Sequence, residues 1–173
     1  MRYFILASHY RSQLNYSDEH LNNARSALAR LYTALRGIAI ENEEPAAAYL
    51  ERFQTVMDDD FNTPEAMAVL FDLAREVNRT RDADPAECRR LAVTLKHLGG
   101  ILGILQEDPE VYLRSSAQGA SGLSNEAIEG FIHMRAEARK RKDWKESDRI
   151  RDLLAKQGVI LEDGAAGTIW RRS

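Results

Sequence analysis

The sequence predicts a mainly α-helical chain: an antiparallel helical bundle followed by a small α+β module made of a helical hairpin plus a short β-hairpin. Three observations predict it. Apolar residues recur at three-four spacing in successive segments, most of them opened by a capping residue. The joints between those segments are short, as antiparallel neighbours require. The last residues hold two β-rich runs, Val159 to Leu161 and Thr168 to Arg171, separated by a stretch with two glycines, which is the pattern of a hairpin.

The elements follow in order. Ser17 ahead of Asp18 and Glu19 has the chemistry of an N-cap with acids in the first turn, and Leu21, Ala24, Leu28, Leu31 and Leu35 continue one face until Gly37. A second helix is expected after Pro45, with Tyr49, Phe53, Val56 and Met57 on one side, broken by Asp58-Asp59-Asp60-Phe61-Asn62. Thr63 is expected to cap a third, with Pro64 at its first position and Met67, Leu70, Phe71, Ala74, Val77 and Asn78 along a stripe. Asp84 and Glu87 form a capping box for a fourth, whose seam runs Cys88, Leu91, Leu95, Leu98, Leu102 and Leu105. Gly99, Gly100 and Gly103 fall inside this fourth helix, each costing about 1 kcal/mol against alanine. They suit close packing rather than a phosphate loop, because no Gly-Lys-Ser/Thr ending is present.

Residues 117 to 122 are small, polar and aperiodic, and predict a linker. Leu123 and Ile128 then flank Ser124 at the spacing of a hydrophobic staple, opening a helix with Ile128, Phe131, Ile132 and Arg135 ahead of Arg139-Lys140-Arg141-Lys142. Asp143 and Glu146 form the next capping box. Trp144, Ser147, Ile150, Arg151 and Leu154 are expected on the inner side of the helix ending at Gly158.

Composition bounds the function. The 173 residues are 44% apolar, enough for a real core, and no apolar run approaches a membrane span. A single cysteine, Cys88, excludes an internal disulfide and, with four scattered histidines, leaves no metal-ligand spacing. A soluble cytoplasmic chain is expected. The net charge of −3 is uneven: residues 124–173 hold 11 Lys+Arg against 9 Asp+Glu, leaving 13 against 18 upstream. The tail is therefore the better partner for a polyanion, and its aromatic, guanidinium and carboxylate groups around a hairpin suit unpaired RNA bases, which are read by stacking and edge hydrogen bonds.

Three segments carry a resemblance. Arg2-Tyr-Phe-Ile-Leu-Ala-Ser-His-Tyr-Arg-Ser-Gln-Leu-Asn-Tyr16, Met57-Asp-Asp-Asp-Phe-Asn-Thr-Pro-Glu65 and Leu161-Glu-Asp-Gly-Ala-Ala-Gly-Thr-Ile-Trp-Arg-Arg172 together resemble cysteinyl-tRNA synthetase, a class I aminoacyl-tRNA synthetase. The resemblance implies the C-terminal, tRNA-binding half of that family. It divides the chain into residues 1–16, the end of a stem-contact segment; 17–113, a DALR-like bundle of the anticodon-binding type; 114–123, a flexible linker; and 124–173, a small anticodon-recognition domain. No His-Ile-Gly-His-type or Lys-Met-Ser-Lys-Ser-type signature occurs, so Met1 would fall in the middle of the family's chain. No catalytic residue, cofactor or metal is assigned: the ATP and zinc that the family uses belong to its other half. The parent is expected to attach cysteine to its tRNA, and this chain to bind without catalysing.

The implied partners are cysteine tRNA, with anticodon G-C-A, and the N-terminal catalytic domain, in a monomer without membrane contact. Arg139, Asp148 and Asp163 match base-contacting positions of the family, and Trp144 is added as a stacking contact; Trp170 is assigned to packing. One ionised carboxylate can accept both N–H donors of a guanine pairing edge, or the amino group of cytosine. Lys140, Arg141, Lys142, Arg171 and Arg172 are cast as phosphate partners, and Arg11 as a contact to the tRNA stem. Each has a blander reading. Asp163 could serve an Asp-Gly turn, Asp148 could pair with Lys145, Arg151 or Lys156, and Arg139 could be merely solvated. Asp58 to Asp60 read as turn and cap residues rather than a magnesium site. The competing class for the whole chain is a noncatalytic helical protein-interaction or structural module.

Overall fold

The computed structural model describes residues 1–40, 43–115, 123–164 and 167–172. The described chain divides into two compact units, 1–110 and 111–173. The residues expected to form a flexible linker fall mostly at 116–122, outside the described residues, while Arg114 and Ser115 on one side of them are helical.

The first unit is helical: α1 (Arg2–Leu6), α2 (Asp18–Leu35), α3 (Ala47–Asp58), α4 (Thr63–Thr80) and α5 (Pro85–Ile101), with α6 (Pro109–Ser115) beginning at its end. The short α1 and α6 were not foreseen; five and seven residues carry too little periodicity to declare a helix. Ser17 caps α2 by accepting from His20 N, and Asp84 caps α5 by accepting from Glu87 N. At α4 the cap is Asn62, not Thr63: its side chain accepts from Glu65 N, which puts Pro64 second in the helix. Between α3 and α4, Asp60 and Phe61 both take positive φ, 56° and 52°, so the chain reverses there.

α4 lies at the middle of the unit and packs against α1, α2, α3 and α5. Leu70, Leu73 and Val77 of α4 are fully enclosed, with Leu31, Leu35, Leu95 and Leu98 from its neighbours. Asn78, expected on that stripe, points to solvent instead; Leu73 and Val77 turn the buried face away from it. The helix α5 also stops earlier than expected. Gly99 and Gly100 lie within it, but Gly103 lies beyond its end at φ 66°, where the Ile104 N–H donates to Gly99 O and the Gly103 N–H to Gly100 O. Leu102 and Leu105 remain buried by folding back, and Leu105 sits on the face of Gly99 that has no side chain.

The second unit contains α7 (Asn125–Lys140), α8 (Trp144–Lys156), β1 (Val159–Gly164) and β2 (Gly167–Arg172), following the rest of α6. Ser124 caps α7 and Asp143 caps α8 through the backbone N–H groups of Ala127 and Glu146. Ile128, Ile150, Leu154, Val159 and Trp170 form the core, and Leu123 packs against it as the staple requires. Each such side chain contributes roughly 1.5–3 kcal/mol by burial. On α8 the buried face is Ser147, Ile150 and Leu154; of the residues expected beside them, Trp144 is exposed because the core begins a turn after the helix does, and Arg151 because it lies about 100° round the helix from Ile150.

The two strands pair antiparallel, with Val159 opposite Arg172, Leu161 opposite Trp170 and Asp163 opposite Thr168. Directly opposed residues share a face, and side chains alternate along a strand. The face with Val159 and Trp170 packs inward, so Asp163 and Thr168 stand on that same face at the hairpin's far end.

Candidate functional site

The inward end of the hairpin meets the last turns of α7. Residues 128, 131, 132, 135 and 139 share one helical face, so the apolar stripe that begins at Ile128 finishes in two arginines. Arg135 is 6% exposed. A buried guanidinium needs an anion and filled donor sites. Asp163 supplies the anion: Arg135 Nη1 donates to Oδ1 at 2.9 Å and Nη2 to Oδ2 at 2.8 Å, the two-pronged geometry that fits a guanidinium to a carboxylate, while the buried Nε has no hydrogen-bond partner among the described residues. The Thr168 hydroxyl donates to Asp163 Oδ1 at 2.6 Å and accepts from Arg135 Nη1 at 3.3 Å. Arg139, one turn further along α7 and half exposed, donates to Oδ2 at 3.0 Å.

Electrostatics follow the geometry. The hydrogen bonds from Arg135 and then Thr168 hold the Asp163 carboxyl well below the usual carboxylate range, against a smaller opposing effect of burial. The Arg135 guanidinium is raised in turn, chiefly by its hydrogen bond with Asp163, with a smaller Coulombic contribution from Asp148. Asp148 on α8 is thus part of the same electrostatic neighbourhood. Its side chain is 62% exposed, and its ion pair, to Arg151, is a long 3.6 Å.

Beyond this centre the α7–α8 joint is polar and open. Lys140, Arg141 and Lys142 are exposed; Lys140 reaches Glu137 at 2.7 Å, and Lys142 turns the chain with φ 62°. Trp144 opens α8 with 59% of its surface in solvent. Exposed cations beside an exposed indole provide phosphate attraction and a stacking platform.

Residues 124–171 match the family model described as the cysteinyl-tRNA ligase anticodon binding domain, and residues 52–106 match the DALR domain. Curated relatives named cysteine–tRNA ligase match almost the whole chain. That of Methylococcus capsulatus is 60% identical over 99% of this chain and 38% of its own length, and that of Thioalkalivibrio sulfidiphilus is 60% identical over 99% and 37%. The corresponding protein of Pseudomonas aeruginosa is 52% identical over 99% of this chain and 37% of its own. The chain belongs to the cysteinyl-tRNA ligase family. It spans a little over a third of the length of the relatives it matches. Two matched domains of cysteinyl-tRNA ligase also favour the tRNA-synthetase reading over a free-standing interaction module.

Within the segment matching the cysteinyl-tRNA ligase anticodon domain, the structure brings Arg139 and Asp163 into contact, while Asp148 is exposed on α8 beside Arg151. Asp163 is a strand residue opposite Thr168. Arg171 lies on the outer face of β2 and pairs with Glu162 at 2.9 Å. Arg172 is 5% exposed, and its guanidinium donates to the carbonyls of Arg114 and Leu123 and to Asn125 Oδ1. It pins the end of β2 to the residues on either side of 116–122. Trp170 is enclosed, its indole N–H donating to Glu129 at 2.7 Å, with the Arg114 and Arg172 guanidinium groups 5.5 and 5.6 Å from its ring centre.

In the first unit, Arg11 is exposed, pairs with Asp60 at 3.0 Å and lies over the Tyr10 ring, whose hydroxyl donates to Asp60 at 2.7 Å. Asp60 thereby serves the turn between α3 and α4. Among the described residues no three His, Cys, Asp or Glu side chains converge as metal ligands, and the Cys88 thiol is buried against Val77 O. No helix among the described residues is long and apolar enough to cross a membrane. The functional-site residues that sequence reasoning missed are Arg135 and Thr168. The signal for Arg135 was present in its place at the end of the α7 apolar stripe, where a buried cation demands a carboxylate on the inward face of the hairpin.

Proposed function

We propose that this chain is the tRNA-reading portion of a cytoplasmic cysteine–tRNA ligase: it binds cysteine tRNA and reads the anticodon with residues 124–173, while another part of the parent activates cysteine. The observation that carries the reading is the pairing of Arg135 and Arg139 with Asp163 in the segment that matches the anticodon binding domain. Carboxylates and guanidiniums at the edge of a small hairpin have the donor and acceptor chemistry that splayed RNA bases present.

In this reading Arg139, Asp148 and Asp163 contact bases, and the exposed Trp144 ring stacks on one. Lys140, Arg141 and Lys142 meet phosphates. Arg171 joins them by exchanging its Glu162 partner, whereas Arg172 keeps its buried carbonyl contacts and acts as a structural pin. Arg11, presented by Asp60, meets the tRNA stem. The chain itself binds without catalysing, since both domains it matches are binding domains of the ligase; ATP and zinc enter no step proposed for it.

The test is a titration at fixed salt with cysteine tRNA and with the same tRNA carrying a changed anticodon. The expected result is weaker binding of the changed tRNA by about tenfold or more. Equal affinity for both would defeat the anticodon reading, and no saturable binding at low salt would defeat tRNA binding altogether.

A further inference from the structure

The acceptor capacity of Asp163 is already allocated. An ionised carboxylate offers about four lone-pair sites. Four donors reach this one: Arg135 Nη1 and the Thr168 hydroxyl on Oδ1, and Arg135 Nη2 and Arg139 Nη1 on Oδ2. These donors are not equally free to leave. Arg135 is buried, and losing its carboxylate would strand a desolvated cation. Thr168 is held by strand register opposite Asp163, and its oxygen accepts from Arg135, which aims its proton at the carboxylate. Arg139 is the exception. It approaches from the exposed end of α7, and solvent or RNA can take over its guanidinium.

We propose that Arg135 and Thr168 are positioning residues that restrict Asp163 to a single base donor, so that this carboxylate reads the amino group of cytosine or adenine and rejects guanine. The inference rests on the RNA-reading role proposed above. A guanine pairing edge presents two adjacent N–H donors and needs two open acceptor sites; an exocyclic amino group of cytosine or adenine needs one. When Arg139 leaves Oδ2, one site opens. The freed guanidinium then serves a neighbouring base or phosphate, and the Arg135 fork keeps the carboxylate plane fixed. Asp148 has the complementary capacity. Exposed and, among the described residues, paired through a long contact to Arg151, it can present both oxygens to guanine.

The test uses the chain with cysteine tRNA and with transcripts carrying each other base at each anticodon position, at one salt concentration. Wild type is compared with Arg135→Lys, which keeps the charge but loses the fork, and with Thr168→Val and Thr168→Ser. At one anticodon position wild type should prefer cytosine or adenine over guanine by about tenfold or more. Arg135→Lys and Thr168→Val should bring that ratio to within about twofold while the other two positions keep theirs, and Thr168→Ser should restore it. Emission from buried Trp170 reports the fold of each variant; should Arg135→Lys unfold the unit, the two Thr168 variants carry the comparison. A wild-type preference for guanine at the affected position would overturn the proposal. So would folded variants with every ratio unchanged, or with all three ratios falling together, which is the mark of a merely structural role. Loss of anticodon preference in wild type itself would remove the RNA-reading role as well, and is thereby distinguished from failure of the positioning role alone.

Discussion

Asp163 holds a buried cation and, in the proposed function, faces an RNA base; the two roles make different demands on the same carboxylate. Replacing it with asparagine keeps the shape but leaves Arg135 buried opposite a neutral group. The Asp163 side chain is 43% exposed, so solvent screens part of the loss, and Asp163→Asn should destabilise the second unit by about 1–2 kcal/mol. The pH dependence has a definite sign. Because the folded-state carboxyl is held below its unfolded value, the pair contributes its full stability above about pH 4, the ordinary aspartate range. That contribution is lost as the pH falls below this range toward the depressed folded value. Wild type should therefore lose thermal stability between neutral pH and about pH 3 more steeply than Asp163→Asn does. Parallel melting curves across that window would show that Asp163 does not titrate against Arg135.

Two helical glycines make opposite predictions at the level of elements. Gly99 lies in α5, where an added Cβ would stand 2.7 Å from Leu105 Cδ1 and Leu105 is itself enclosed. Gly99→Ala gains about 1 kcal/mol of helix propensity but forces a packed chain reversal to shift, costing about 1–3 kcal/mol, so the net change is destabilising. Gly130 lies inside α7 with nothing within 4 Å of an added Cβ. Gly130→Ala should stabilise by up to about 1 kcal/mol. A thermal midpoint raised by Gly99→Ala would contradict the packing at Leu105, and one lowered by Gly130→Ala would contradict the open space at that position. The contrast also shows what sequence can reveal about elements. Caps at Ser17, Asp84, Ser124 and Asp143 were legible because each acts over three residues. Asn62 was mistaken for Thr63 because both precede a proline at an allowed early helical position, and the end of α5 was missed because its seam of leucines continues through the reversal at Gly103. Trp144 had the spacing of the α8 core but lies a turn before it. Arg135 and Asp163 are 28 residues apart, and their pairing depends on which face of the hairpin turns inward, something fixed by register and not by local spacing.

Over the molecule as a whole, the proposed binding of a polyanion by a chain of net charge −3 has to come from local patches rather than total charge. The described structure narrows the patch. Arg172 is buried on carbonyls and Arg139 is held by Asp163, which leaves the exposed Lys140, Arg141 and Lys142 at the α7–α8 joint, with Arg171 once it exchanges Glu162, as the proposed phosphate contacts of this unit. Four phosphate contacts predict that log K for tRNA falls against log salt with a slope of about −3 to −4. Removing one charge by Arg141→Gln should make the slope shallower by somewhat less than one and weaken native and changed anticodons by the same factor, because phosphate contacts carry no base information. Asp163→Asn should do the reverse, altering the ratio between anticodons while leaving the salt slope in place. A titration series at several salt concentrations separates the two. If Arg141→Gln changed the anticodon ratio, that arginine would belong to the base-reading group; a wild-type slope near zero would mean that phosphate attraction at this joint contributes nothing to binding.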